Sequence, residues 1–111
     1  MAIFSTHLLS SIDGSHASNV NIEIYKIDKN NYKSLLLKEC TDENGRLLKE
    51  LKLSKEDCES DFEMLIDIGD YFKSDNIINF ISIKFKMKES EKKYHIPLII
   101  SPNGYSVWWS K

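Results

Sequence analysis

What most limits the fold open to this chain is a two-residue alternation of apolar and polar side chains, cut repeatedly by turn-forming clusters. In Val20–Ile27 one face carries Val20, Ile22 and Ile24, and the other carries Asn21, Glu23 and Tyr25. In Asn79–Met87, Ile81, Ile83, Phe85 and Met87 share a face opposite Ser82, Lys84 and Lys86. Side chains with a period of two cannot gather on one side of a helix, so these segments read as strands half-buried against a core. Tyr32–Cys40 and Phe62–Ile68 are rich in apolar residues and read the same way. The breaks are Asp13-Gly14-Ser15, Asp28-Lys29-Asn30-Asn31, Asp42-Glu43-Asn44-Gly45 and Ser101-Pro102-Asn103-Gly104, all made of residues that favour turns. The polar stretch Lys88–Lys93 reads as a hairpin connection, and a short helix is expected around Asp70–Asp75, where alternation lapses. Many short strands between regular turns predict an all-β fold, an antiparallel sandwich.

The size suits that fold. The 111 residues make one domain, 1–111. A chain of this length buries roughly 65% of its unfolded surface, so no disulfide or metal staple is required. Cys40 and Cys58 lack CxxC or metal-ligand spacing and read as reduced, partly buried small hydrophobes. A formal charge of −2 argues against a nucleic-acid partner, which needs a concentrated basic face. The alternating Lys84, Lys86 and Lys88 read instead as a solvated strand face. No apolar run approaches the roughly 20 residues of a membrane span. The start, Met1-Ala2-Ile3-Phe4-Ser5-Thr6-His7, has no basic, apolar or cleavage region of a secretory signal, and a cytoplasmic location is expected.

Three strands carry the functional hints. In Phe4–Ser10, the core face holds Phe4, Thr6 and Leu8, which leaves Ser5, His7 and Leu9 on the other. In Lys93–Ser101, Tyr94, Ile96, Leu98 and Ile100 form the core face, and His95, Pro97, Ile99 and Ser101 point away from it. Tyr105–Ser110 splits into Tyr105, Val107 and Trp109 against Ser106, Trp108 and Ser110, so Trp109 reads as core and Trp108 as outward. Two histidines thus share non-core faces with Leu9, Pro97, Ile99 and Trp108. Such a face is too apolar for open solvent and too polar for the core, as at a subunit interface or a wet cleft. His16, in the Asp13–Ser18 loop, reads as a solvent residue. Of the 15 basic residues only Arg46 is an arginine, just after the Asn44-Gly45 turn.

At these residues the chain resembles the transthyretin-like family, and within it the 5-hydroxyisourate hydrolase branch of urate breakdown. The matching blocks are Ser5-Thr6-His7-Leu8-Leu9, Asp42-Glu43-Asn44-Gly45-Arg46-Leu47, Ile66-Asp67-Ile68-Gly69-Asp70-Tyr71-Phe72 and the run from Tyr94 to Ser106. They fall in family order from residue 3 to residue 107. The resemblance implies an eight-stranded, two-sheet antiparallel sandwich with one short helix. It also implies a homotetramer whose central channel is lined by the first, penultimate and C-terminal strands. The family's catalytic His-Arg-His set falls on His7, Arg46 and His95, and the resemblance places Ser106, Trp108 and Ser110 at the substrate. One departure is plain. The hydrolases end in Tyr-Arg-Gly-Ser, whereas this chain has Trp108-Trp109-Ser110-Lys111.

The implied chemistry suits those residue types. Opening a cyclic ureide takes an activated water, a stabilised oxyanion and a proton for the leaving nitrogen. A histidine titrates near neutrality and can take or give that proton. An arginine cannot act as an acid, but its rigid fork can hold a carbonyl oxygen as charge builds on it. No metal or organic cofactor is needed, and the partners expected are a small-molecule substrate and further copies of the chain. Two alternatives stay open: a related enzyme acting on another cyclic substrate beside Trp108, and a noncatalytic module holding a small planar ligand.

Overall fold

A computed structural model describes residues 1–73 and 77–111. Burial follows the alternation closely. In β1 (Ala2–Ser10) every second residue, Ala2, Phe4, Thr6, Leu8 and Ser10, is buried, and the residues between are half-exposed. The other strands are β2 (Asn21–Ile27), β3 (Lys33–Cys40), β4 (Arg46–Leu51), β5 (Asp61–Asp67), β6 (Phe80–Phe85), β7 (Lys93–His95), β8 (Leu98–Ser101) and β9 (Gly104–Val107). One sheet runs β4-β1-β8-β9, with β7 also paired to β1, and the other runs β3-β2-β5-β6. Between them lie Phe4 and Leu8 of β1, Ile22 and Ile24 of β2, Met64 and Ile66 of β5, and Leu98 and Ile100 of β8, all fully buried. Phe85 stacks on Phe4 and Phe62, with ring centroids 5.3 and 5.8 Å apart, and closes one end of this layer. The result is a predominantly β, two-sheet sandwich with some helix.

The details depart from expectation at several places. The described strands number nine, not eight, because the expected Lys93–Ser101 strand is broken at Ile96-Pro97. Pro97 has no N–H to continue a ladder. The break is pinned to β1: the Ile96 N–H donates to the Ser5 carbonyl at 2.9 Å, and Thr6 Oγ1 donates to the Ile96 carbonyl at 2.7 Å. Pro97 itself is buried rather than outward.

Pairing is mixed rather than antiparallel throughout, since β7 and β8 both run parallel to β1. The cause is the Lys88–Lys93 connection, which is no hairpin. It carries the chain from β6 in one sheet to β7 in the other, so β7 is free of the antiparallel geometry a tight hairpin imposes. Tyr94 ties it down, its Oη accepting from the Glu89 N–H at 2.8 Å and donating to the Glu89 carbonyl at 3.0 Å.

The sequence reading offered no element over residues 46–51, where β4 lies. Its inward row is Leu47, Lys49 and Leu51, and the lysine hides the period. Two short helices replace the single one expected. α1 (Lys55–Glu59) starts at a capping box of Ser54 and Asp57. α2 (Ile68–Phe72) starts at Asp67 and ends at Lys73, which is left-handed at φ 49°. It therefore begins two residues before the expected Asp70–Asp75 turn, whose last two positions lie outside the described residues. Cys58 is half-buried as expected, but Cys40 is exposed on edge strand β3, with its Sγ 3.0 Å from Asn21 Oδ1.

Candidate active site

The outer face of the β1 sheet gathers the candidate residues. Residues directly opposite in neighbouring strands point to the same side. His7 lies opposite Arg46 on β4, and Ser5 lies opposite His95 on β7. Leu9 lies opposite Ile99, and Ile99 opposite Ser106 on β9. Past β9 the chain stays close: the Ser110 N–H donates to the His95 carbonyl at 2.9 Å, and the Trp108 N–H reaches the Pro97 carbonyl at 3.3 Å. His7, Arg46, His95, Ser106 and Ser110 thus belong to one surface, crossed by four ladders, and Trp108 lies between the last two with 45% of its surface exposed.

Arg46 owes its place to the turn before it. Asp42 Oδ1 accepts from the Asn44 N–H at 2.8 Å and from the Arg46 N–H at 3.0 Å, which folds the turn onto one carboxylate. The Arg46 hydrogen bond is the main reason that the Asp42 carboxyl sits below its ordinary pKa. Gly45 adopts φ +72°, and a Cβ there would meet the Leu8 carbonyl oxygen at 2.5 Å. Only glycine lets the turn approach β1 this closely, and its carbonyl then accepts from the Leu8 N–H at 2.8 Å.

Burial lowers the pKa of His7, and the charges of Arg46, His16 and His95 push the same way, against a hydrogen bond from the ring to the Asn44 backbone. A lowered value keeps the imidazole neutral, with a lone pair, at neutral pH. His95 is held differently: Ser5 Oγ lies 2.7 Å from its Nδ1. That contact occupies one ring nitrogen and leaves Nε2 for other partners.

Two residues were missed by the sequence reading. Ser5 shares the parity of His7, but only the parallel β1–β7 pairing brings it to His95. His16 is exposed as expected but is not idle. Its Nδ1 lies 3.0 Å from His7 Nε2, and the two rings stack at 5.1 Å with a 27° tilt. The signal was the Asp13-Gly14-Ser15 turn, which doubles the chain back so that His16 bridges to Leu9 beside β1. Trp109 is also corrected. It is 51% exposed, not core, and Tyr105 and Val107 of the same row are exposed inside β9, because β9 is the last strand of its sheet and its expected core row is left uncovered. Lys92 and Lys111 place their Nζ atoms 5.5 and 5.4 Å from its ring centre. Among the described residues, no three His, Cys, Asp or Glu side chains converge as a metal would require.

The site faces outward and open. Leu48, opposite Ser5 on the same face, is 62% exposed, and Ile99 and Trp108 extend the apolar surface around the histidines.

Similarity to known proteins runs through the same strands. The chain is 30% identical over 111 residues to a 5-hydroxyisourate hydrolase of Halalkalibacterium halodurans, covering 94% of this chain and 93% of the relative. Its fold superposes on Klebsiella pneumoniae 5-hydroxyisourate hydrolase with a TM-score of 0.79 at 21% identity, covering 100% of both chains. Transthyretin from Sparus aurata superposes with a TM-score of 0.83 at 16% identity, covering 96% of this chain and 95% of that one. The profile of the HIUase/Transthyretin family matches residues 4–109, a span that includes β1, the Arg46 turn and the β7–β9 tail. With a two-sheet sandwich built around those segments, the chain belongs to the HIUase/Transthyretin family.

Proposed function

We propose that this protein hydrolyses a cyclic amide of the 5-hydroxyisourate type, without a cofactor, as a homotetramer. The observation that carries this reading is the in-register row across the outer sheet. Arg46, His7 and His95 share one face, with neutral His7 beside the guanidinium. Neutral His7 takes a proton from water as the oxygen attacks the ring carbonyl. General base help of this kind contributes roughly 10²–10⁴-fold. Arg46 donates to the carbonyl oxygen as negative charge develops there. His95, with Nδ1 engaged by Ser5, turns Nε2 to the leaving nitrogen and supplies its proton. Ser106 and Ser110 offer hydroxyls along the same face, and Trp108 offers a flat apolar wall. In one chain this surface lies open, so a second copy laid across Leu48, Ile99 and Trp108 would close it into a channel.

Trp108 also favours a second reading. It stands where hydrolases of the family carry tyrosine, and its bulk suits a cyclic substrate of another shape. The experiment is to generate 5-hydroxyisourate from urate and follow its ultraviolet decay with wild-type protein, His95→Ala and Arg46→Lys. Wild-type acceleration, cut on the order of 10²-fold by Arg46→Lys, is the expected result, because lysine keeps the charge and loses the fork. An unaccelerated decay rejects this substrate. Acceleration of a different ureide would then favour the second reading, and tight binding of a planar ligand without turnover would favour a noncatalytic module.

A further inference from the structure

We propose that His16 is a positioning residue that works through His7, as the outlet by which the reaction's surplus proton reaches solvent. The inference rests on the hydrolase reading above. Its origin is a proton count. When water opens a cyclic amide, the C–N bond breaks and a C–O bond forms. One water proton ends on the leaving nitrogen. The other is set free when the new carboxylic acid ionises, so each turnover near neutral pH releases one proton.

The site has one route for it that geometry supports. His95 is engaged through Nδ1 by Ser5 Oγ at 2.7 Å, on the far side of the row from the loop. Arg46 keeps its proton at any working pH and cannot relay. His7 is half-buried, and its Nε2 faces one titratable partner, His16 Nδ1, at 3.0 Å. A hydrogen bond between two neutral imidazoles needs one nitrogen as donor and the other as acceptor, so a single proton lies between them. With His7 Nε2–H donated to His16 Nδ1, a proton taken up on His7 Nδ1 lets the Nε2 proton cross to His16 Nδ1, and exposed His16 releases one from its own Nε2 to water. The returning loop, bridged to Leu9, sets the rings 27° apart with the two nitrogens in reach.

The charged groups around His7 favour this direction. Arg46 from β4, His95 from β7 and His16 from the loop all disfavour a resident charge on the ring. Asp42 interacts with His7 from the turn before β4, and the Asn44 backbone carbonyl accepts from the ring; these are the groups that hold a proton there. A proton that is poorly retained and has an exposed imidazole at hydrogen-bond distance leaves quickly.

The test compares wild type with His16→Gln and His16→Ala in dilute, non-imidazole buffer and again with imidazole added. Both variants are expected to lose about tenfold in kcat in dilute buffer, with KM little changed, and to regain it with imidazole. Melting temperature should stay put, since His16 is exposed. NMR titration supplies a readout independent of substrate: the His7 midpoint should rise in His16→Gln, because a neighbour that opposes its charge is gone. Equal turnover of variant and wild type in dilute buffer overturns the relay, as does a loss that imidazole leaves untouched or a His7 midpoint that does not move. If wild type itself is inert toward 5-hydroxyisourate, the hydrolase reading falls and the relay with it.

Discussion

At the residue scale, identity tells less than neighbours do. The sequence contains three histidines, and strand parity separates His7 and His95 from the loop residue His16 without saying what any of them touches. Their differences arise from contact: Arg46 and burial for His7, a serine hydroxyl for His95, and the His7 ring for His16. Glu63 teaches the same lesson on the opposite sheet. It sits at a parity that should be outward, yet it is 92% hidden, with 8% of its surface exposed. Lys33 Nζ at 2.5 Å and Ser82 Oγ at 2.5 Å bond its carboxylate and hold its pKa below the ordinary glutamate value. A carboxylate with a folded pKa below its unfolded one lends stability above the unfolded value, about 4.3, and that stability fades as pH falls through the folded value. Acid titration of the melting temperature should therefore fall less steeply in Glu63→Gln than in wild type below about pH 4.3. At neutral pH the variant should be less stable by about 1–3 kcal/mol, read from urea unfolding.

At the scale of elements, turns and breaks decide where the chemistry goes. The Asp42–Gly45 turn was legible from its residues, and so was the placement of Arg46 directly after it. What β4 would pair with was not, because Lys49 in its inward row conceals the strand. Gly45 joins the two facts: it is the point where the turn presses on β1. Gly45→Ala should destabilise by at least about 1–3 kcal/mol, through the positive φ and the clash with the Leu8 carbonyl. It should also lower kcat, since a shifted turn moves Arg46 away from His7; thermal melting and the urate-coupled assay measure the two effects. Pro97 is the other hinge of the design. A proline in a run of apolar alternation announces a weak strand, but not that its halves lie parallel to β1 with Ser5 beside His95.

At the scale of the whole molecule, the outer face of the β1 sheet is unfinished in one chain. Leu48, Ile99 and Trp108 leave apolar surface around the histidine row, and such a patch is stabilised when another surface covers it. Sedimentation should find wild type larger than a monomer, and Leu48→Asp, which sets a charge in that patch, should shift it to smaller species. A wild type that sediments as a monomer would count against the tetramer. Legible in the sequence were the strand rhythm, the buried rows of β1, β2, β6, β7 and β8, and the common parity of Ser5 and His7 and of His95 and Ile99. Alternation is a local property, imposed on each strand by its own pleat. The solitary Arg46 and the family blocks were likewise legible in one dimension. Tertiary structure alone decided which strands meet. The crossing between sheets at 88–93 set β7 parallel to β1 and brought Ser5 to His95, and the returning 13–15 turn laid His16 on His7. Those contacts join residues 90 and 9 positions apart, and no local preference specifies them. They follow from burying both sheets' apolar faces on each other at once.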